Sequence, residues 1–194
     1  MTDQQPVPAA TVVLARDNPA GPDIEVLLLR RNAKLVFHGG HWVFPGGRID
    51  AEDFAVAGSE LEFPAARQAA VRETREESGI EISPDELIHI AHWTTPPRLA
   101  RRFSTWFFVC LLREQVEVVV DNQEILDFRW MSPSAALRAA EQKQLVLPGP
   151  THATLTDIAN MNSLQSLEVA LSKGEIRVFP EDSAYYKPEE MGYS

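Results

Sequence analysis

The stretch Ala69-Ala70-Val71-Arg72-Glu73-Thr74-Arg75-Glu76-Glu77-Ser78-Gly79-Ile80 decides how the rest of this 194-residue chain is read. Alanines and long unbranched side chains favour a helix, Gly79 supplies a C-terminal stop, and Pro64 upstream suits a first turn. Together they predict a helix over 64–78. At about 100° per residue, Glu73, Glu76 and Glu77 fall within one narrow arc. Like charges three and four apart destabilise an isolated helix by about 0.2–0.5 kcal/mol per pair, so something must offset them. Arg72 and Arg75 are close enough to do so. A divalent cation is the other candidate, because Mg²⁺ and Mn²⁺ favour oxygen ligands of this kind. A solvated charged face would carry the same pattern.

Outward from that helix, residues 11–16 and 24–30 read as strands joined by the turn chemistry of Asp17-Asn18-Pro19-Ala20-Gly21-Pro22-Asp23. A glycine-rich passage, Gly39-Gly40-His41-Trp42-Val43-Phe44-Pro45-Gly46-Gly47, leads into a polar, acidic stretch before the helix. Beyond it, strands are predicted at 87–95, 103–112, 117–120 and 126–131. Ser132-Pro133 reads as an N-cap followed by Pro at the first helical position, opening a helix to about residue 142. A further helix or helix pair is predicted over 151–172, and a short strand over 176–179. The polar tail from residue 180 carries Tyr185, Tyr186 and Tyr193 as docking residues. This order predicts a mixed α/β or α+β layered domain over 11–179, between a loose lead-in at 1–10 and the tail at 180–194.

Composition narrows the function. Eighteen Lys and Arg against 28 Asp and Glu give a net charge of −10, which argues against a general nucleic-acid binder. A local phosphate site is compatible with that sum. No acid occurs between Val26 and Ile49, where Arg30, Arg31, Lys34 and Arg48 lie. None occurs between Leu87 and Arg113, where Arg98, Arg101 and Arg102 lie. Such groups could hold phosphates or simply balance acids elsewhere. Trp42, Trp93 and Phe103 could stack a base or fill the core. The single cysteine, Cys110, sits in an apolar run and excludes an intramolecular disulfide or a multi-cysteine metal centre. His89 and His92, three apart on a predicted strand, should face opposite sides. His38 and His41 flank Gly39-Gly40 as substrate contacts or ordinary loop residues. No secretory signal or membrane-length apolar run is visible, which leads to the expectation of a cytoplasmic protein without membrane partners. Walker A and dinucleotide fingerprints are absent.

Arg72-Glu73-Thr74-Arg75-Glu76-Glu77-Ser78-Gly79-Ile80 resembles the second half of the Nudix box, G-x5-E-x7-R-E-U-x-E-E-x-G-U, and Gly46-Gly47 after Trp42-Val43-Phe44-Pro45 resembles its opening. Counted from Gly47, the first glutamate position holds Asp53, and 18 residues rather than seven then precede Arg72, an insertion of 11. Counted back from Arg72, that position holds Pro64, with Glu62 the nearest acid. Asp53, Glu60 and Glu62 therefore all stand as replacements. The bulky apolar position after Glu73 is Thr74. Long insertions here, together with Arg101-Arg102-Phe103-Ser104-Thr105-Trp106-Phe107-Phe108 and Phe128-Arg129-Trp130-Met131-Ser132-Pro133, are similar to a subgroup that includes the peroxisomal coenzyme A diphosphatases.

The resemblance implies an α/β/α sandwich with a mixed central sheet and the box helix packed on it. It implies hydrolysis of a nucleoside diphosphate linked to another moiety, of coenzyme A, ADP-ribose or nucleotide-sugar type, with Mg²⁺ or Mn²⁺ as cofactor. Glu73, Glu76 and Glu77 would hold metal, with Glu76 or Glu77 acting on the attacking water and Arg72 orienting the carboxylates. Glu124, in Asp121-Asn122-Gln123-Glu124, is a candidate base outside the helix. Arg30, Arg31, Trp42, Gly46, Gly47, Arg102 and Phe103 are the substrate-binding candidates. The displaced first glutamate motivates a rival: a Nudix-fold domain that binds a nucleotide-type ligand without hydrolysing it. The tyrosine-bearing tail and terminal helices suggest a homodimer contact.

Overall fold

Residues 5–35 and 38–193 are described in the computed structural model. Within them, β1 (Val7–Asp17), β2 (Ile24–Arg31), β3 (Trp42–Val43), β5 (Ile88–Thr94), β6 (Phe103–Leu111) and β8 (Arg177–Phe179) lie in the order β3-β2-β1-β6-β5-β8. Two more strands complete the sheet: β4 (Gly46–Arg48) pairs with β1, and β7 (Ile125–Met131) pairs with β2. The β1–β6 and β5–β8 pairs are parallel and the others antiparallel. The sheet is therefore mixed.

One face carries α2 (Glu62–Ser78), which seats Ala65, Ala66, Ala69 and Ala70 on Val12, Leu14, Leu27, Trp106 and Phe108. Four alanines on the contact side let the helix axis approach the sheet closely. Gly79 stops it at φ 71°, donating its N–H to the Arg75 carbonyl, the left-handed cap that glycine adopts without steric cost. Thr74 is fully buried, and its hydroxyl donates to the Ala70 carbonyl at 2.7 Å. The polar atom is thus satisfied within the helix and the methyl fills the apolar box position. The opposite face carries α3 (Pro133–Glu141), α4 (Gly149–Ile158) and α5 (Leu164–Leu171), packed through Ala136, Leu155, Ile158 and Leu167 on Val13, Val26, Leu28 and Val109. The result is an α/β/α sandwich.

Four details differ from the sequence reading. β1 starts at Val7, inside the expected lead-in, because the Val7 N–H pairs with the Arg102 carbonyl at 2.9 Å; residues 1–4 and Ser194 of the expected termini lie outside the described residues. The acidic insertion folds its own helix, α1 (Ala51–Ala57), stopped by Gly58 at φ 61°. Residues 117–120 form no ladder. Their alternating valines pack Val116, Val118 and Val120 on the α2 face, while Val119 donates to the Ser78 carbonyl at 2.8 Å. In β5 the pairing register shifts between His89 and Ala91, so His89 opposes Phe108 and His92 opposes Trp106. The bulge puts both histidines on the α2 face rather than on opposite faces.

The tail closes over that pair. Tyr186 stacks on His92 at 4.7 Å between ring centroids, and Tyr193 meets His89 edge-on at 4.7 Å. The short α6 (Pro188–Met191) lies between them in sequence. Burial depresses the His89 pKa to about 4 and the His92 pKa to about 3. No helix among the described residues is long and apolar enough to cross a membrane.

Candidate active site

Two acids of the box helix, Glu73 and Glu77, meet the glycine loop at Gly46-Gly47. Gly46 donates its N–H to Glu77 Oε2 at 2.9 Å. A Cβ on Gly46 would collide with the Ala10 carbonyl and Thr11, and one on Gly47 would collide with the Glu73 carboxylate. Pairing of β4 with β1 through Ala9–Arg48 and Thr11–Gly46 holds this loop against the last turns of α2. The Thr11 hydroxyl, donating to the Pro45 carbonyl at 2.7 Å, pins the turn before it.

Arg72 is the hub. Its Nε and Nη2 donate to Asp53 Oδ1 and Oδ2 at 3.0 and 2.9 Å, a bidentate pair. Its Nη1 donates to Glu73 Oε1 at 2.8 Å and Glu76 Oε2 at 3.3 Å, and its Nη2 also to the Arg48 carbonyl at 3.0 Å. The Asp53 hydrogen bonds, first among several causes, hold the guanidinium charged far above its ordinary range. Asp53 is only 2 % exposed, and its Oδ2 also accepts the Asp50 N–H at 2.8 Å. Of the three acids left open by the sequence, Asp53 is therefore the one that meets Arg72. Glu62 instead accepts the Trp106 indole N–H at 2.8 Å, and Glu60 is exposed. The signal that separates them is α1, which carries Asp53 back across the insertion.

On the other flank, Arg31 Nη2 lies 2.5 Å from Glu124 Oε1 and its Nη1 lies 3.8 Å from Glu77 Oε1. Four carboxylates thus surround one corner of the sheet. Burial is the main cause that raises the Glu73 carboxyl, and it raises Glu77 well above the ordinary range. Charges on Glu73 and Glu124 add to the effect at Glu77, while the Gly46 N–H and Arg31 oppose it. Such a set of hard oxygen donors, short of positive charge, suits Mg²⁺ or Mn²⁺. Among the described residues no three His, Cys, Asp or Glu side chains already stand around one metal position. Arg72 Nη1 meets one oxygen of each of Glu73 and Glu76, so a metal held by these two carboxylates would share them with the guanidinium.

The remaining substrate-binding candidates divide by face. Arg31, Gly46 and Gly47 join the acids. Arg30 and Trp42 do not: they are cross-strand partners on the opposite face, where Trp42 belongs to the second core and lies 6.0 Å from the Arg30 guanidinium and 4.7 Å from that of Arg129. Phe103 shares that opposite face, two alternations before Phe107. Arg102 is drawn to the tail, donating to the Thr95 carbonyl at 3.1 Å and lying over the Tyr185 ring at 5.4 Å. Trp93 packs on Phe179 in a tilted pair, 4.7 Å between ring centroids. His38 and His41 meet edge-on at 5.1 Å, and burial, aided by His41 and Arg31, lowers His38 to about 4. Cys110 is fully buried and raised to about 12 by burial, a core hydrophobe as expected.

The chain is similar to known proteins. Over 92 residues the chain is 36% identical to the acyl-coenzyme A diphosphatase NUDT19 of Homo sapiens, covering 45% of this chain and 24% of that protein. The NUDT19 of Xenopus laevis is 24% identical over 236 aligned residues, covering 75% of this chain and 62% of the relative. The chain thus spans less than two thirds of these two relatives. A NUDIX hydrolase structure from Alicyclobacillus acidocaldarius superposes with a TM-score of 0.77 at 27% identity, covering 89% of this chain and 98% of that one. The NUDIX domain model matches residues 5–148. With the box helix, its glycine loop and its arginine hub all inside that span, the chain belongs to the Nudix family.

Proposed function

We propose that this chain hydrolyses the diphosphate linkage of a nucleoside-diphosphate-linked small molecule in the presence of Mg²⁺ or Mn²⁺. Coenzyme A-type diphosphates come first among its substrates, ahead of ADP-ribose and nucleotide sugars. The observation that carries this reading is the convergence of Glu73 and Glu77 on the Gly46-Gly47 loop, with Glu124 joined to Glu77 through Arg31 and Glu76 one step outside on the same helix arc. The coenzyme A preference rests on the names of the NUDT19 relatives.

Glu73, Glu76 and Glu77 are the residues that would hold metal. A divalent ion there would supply the positive charge that lets an anionic diphosphate approach carboxylates, and would acidify water. The chain's own groups do the rest. Arg72 keeps Glu73 and Glu76 on one side of the helix and is itself fixed by Asp53. The Gly46 N–H holds Glu77 by one oxygen and leaves the other turned toward Arg31. Glu124 is the general base, taking the proton of the attacking water on its carboxylate, a role worth about 10²–10⁴-fold in rate.

The test is incubation with a panel of coenzyme A-type, ADP-ribose and nucleotide-sugar diphosphates plus Mg²⁺ or Mn²⁺, with products identified by mass spectrometry and a chelator control. Metal-dependent formation of two phosphate-bearing products supports the reading. Ligand-induced thermal stabilisation without products would instead establish a binding domain.

A further inference from the structure

Glu124 reaches the helix acids from a turn that a separate group of side chains constructs. The carboxylate of Asp121 accepts three successive backbone N–H groups: Gln123 at 3.2 Å, Glu124 at 3.1 Å and Ile125 at 2.8 Å. Asn122, between them, adopts φ 58°, a left-handed conformation that asparagine tolerates better than most residues. From the end of β2, Asn32 closes the other side. Its backbone N–H donates to the Glu124 carbonyl at 2.7 Å and its Nδ2 to the Gln123 carbonyl at 2.9 Å. Five hydrogen bonds therefore fix the backbone on which Glu124 stands.

Packing does not do this job. Residues 121–123 are exposed, and the Glu124 side chain is 45% exposed. A long side chain in such a place loses conformational freedom when it is held in one geometry, and its alignment with a reacting atom depends on what anchors the backbone. Misplacement by about 1 Å costs on the order of a hundredfold in rate. We propose that Asp121 and Asn32 are positioning residues for hydrolysis, building the turn that presents the Glu124 carboxylate to Arg31 and Glu77. This assignment rests on the reading of Glu124 as the base of a diphosphate hydrolase.

The experiment is a double-mutant cycle on the full chain, using whichever panel compound the wild type turns over. Asp121→Ala should lower kcat by about tenfold to a hundredfold with little change in KM, and Asn32→Ala should lower it in the same direction. Asp121→Asn, which keeps an acceptor oxygen, should recover part of the loss. In a Glu124→Gln background, Asp121→Ala should change kcat by less than about twofold, because residues acting through one group are not additive. Thermal unfolding of each variant verifies that the fold is retained. Equal losses from Asp121→Ala in both backgrounds would overturn the positioning role while leaving hydrolysis intact. Full activity of Glu124→Gln would remove the base and this assignment together, again leaving a hydrolase. A wild type inactive on the whole panel would remove the reaction itself.

Discussion

The two ends of α2 both bury titratable side chains, and they treat them in opposite ways. At the C-terminal end, Glu73 and Glu77 are enclosed among other charges: Arg72, Arg31, Glu76 and Glu124. At the N-terminal end, Glu62 bonds the Trp106 indole, and His89 and His92 are enclosed by Phe63, Trp106, Tyr186 and Tyr193. Burial in a charged setting keeps acids poised for a cation and a proton transfer, whereas burial among rings makes neutral groups part of the core. The same helix therefore carries the end proposed to work on metal and substrate, and a structural end. What separates them is the neighbour each end meets, a glycine loop or an aromatic tail.

The strongest way to break the comparison is the same substitution at each end. Glu77→Gln should cut kcat by about 10³-fold, the scale of losing one group that stabilises transition-state charge. Glu62→Gln keeps an acceptor for the Trp106 N–H and should leave kcat within about twofold, since that hydrogen bond is worth only about 1 kcal/mol to the fold. Comparable losses in the two variants, measured under identical metal concentrations, would erase the distinction between the ends. A smaller effect separates two neighbours on β2. Arg31→Ala should lower kcat by about a hundredfold through the freed Glu124 and Glu77, while Arg30→Ala, on the Trp42 face, should alter it by less than about threefold. Steady-state kinetics on both proteins decides it.

That pair also shows what the sequence could and could not reveal. Alternation along β2 says that Arg30 and Arg31 point to opposite faces, but not which face holds the acids; that depends on how α2 docks. The helix itself is legible because alanine content, Pro64 and the Gly79 stop all agree. The glutamate trio is legible because helical spacing needs no tertiary information. Asp53 cannot be chosen over Glu60 and Glu62 from sequence, since only α1, folded inside the insertion, returns it to Arg72. The valines at 116, 118 and 120 alternate as a strand would, yet they pack on α2 and find no ladder partner. Arg102 and Phe103 have the chemistry for phosphate and base, but the tail holds one and strand alternation turns the other away. Simple alternation places His89 and His92 on opposite faces, and a single bulged residue in β5 is enough to undo it.

The bulge has a consequence that can be measured without substrate. His89 and His92 are held neutral in the fold, with pKa values near 4 and 3 against an ordinary 6.5. Their Nδ1 atoms, among the described residues, have no hydrogen-bond partner. Below pH 6.5 the unfolded chain takes up protons that the folded chain refuses, so stability falls as pH drops from 6.5 toward 4. At pH 5.5 each ring should subtract about 1 kcal/mol relative to pH 7.5. The raised carboxyls of Glu62, Glu73 and Glu77 act with the opposite sign, gaining stability as pH falls. Urea unfolding of the wild type alone therefore mixes the histidines with the carboxyls. The double variant His89→Gln, His92→Gln isolates the histidines: its loss between pH 7.5 and 5.5 should be smaller than that of the wild type by about 2 kcal/mol. Equal losses in the two proteins would mean that the aromatic end does not carry the acid sensitivity that its buried histidines imply.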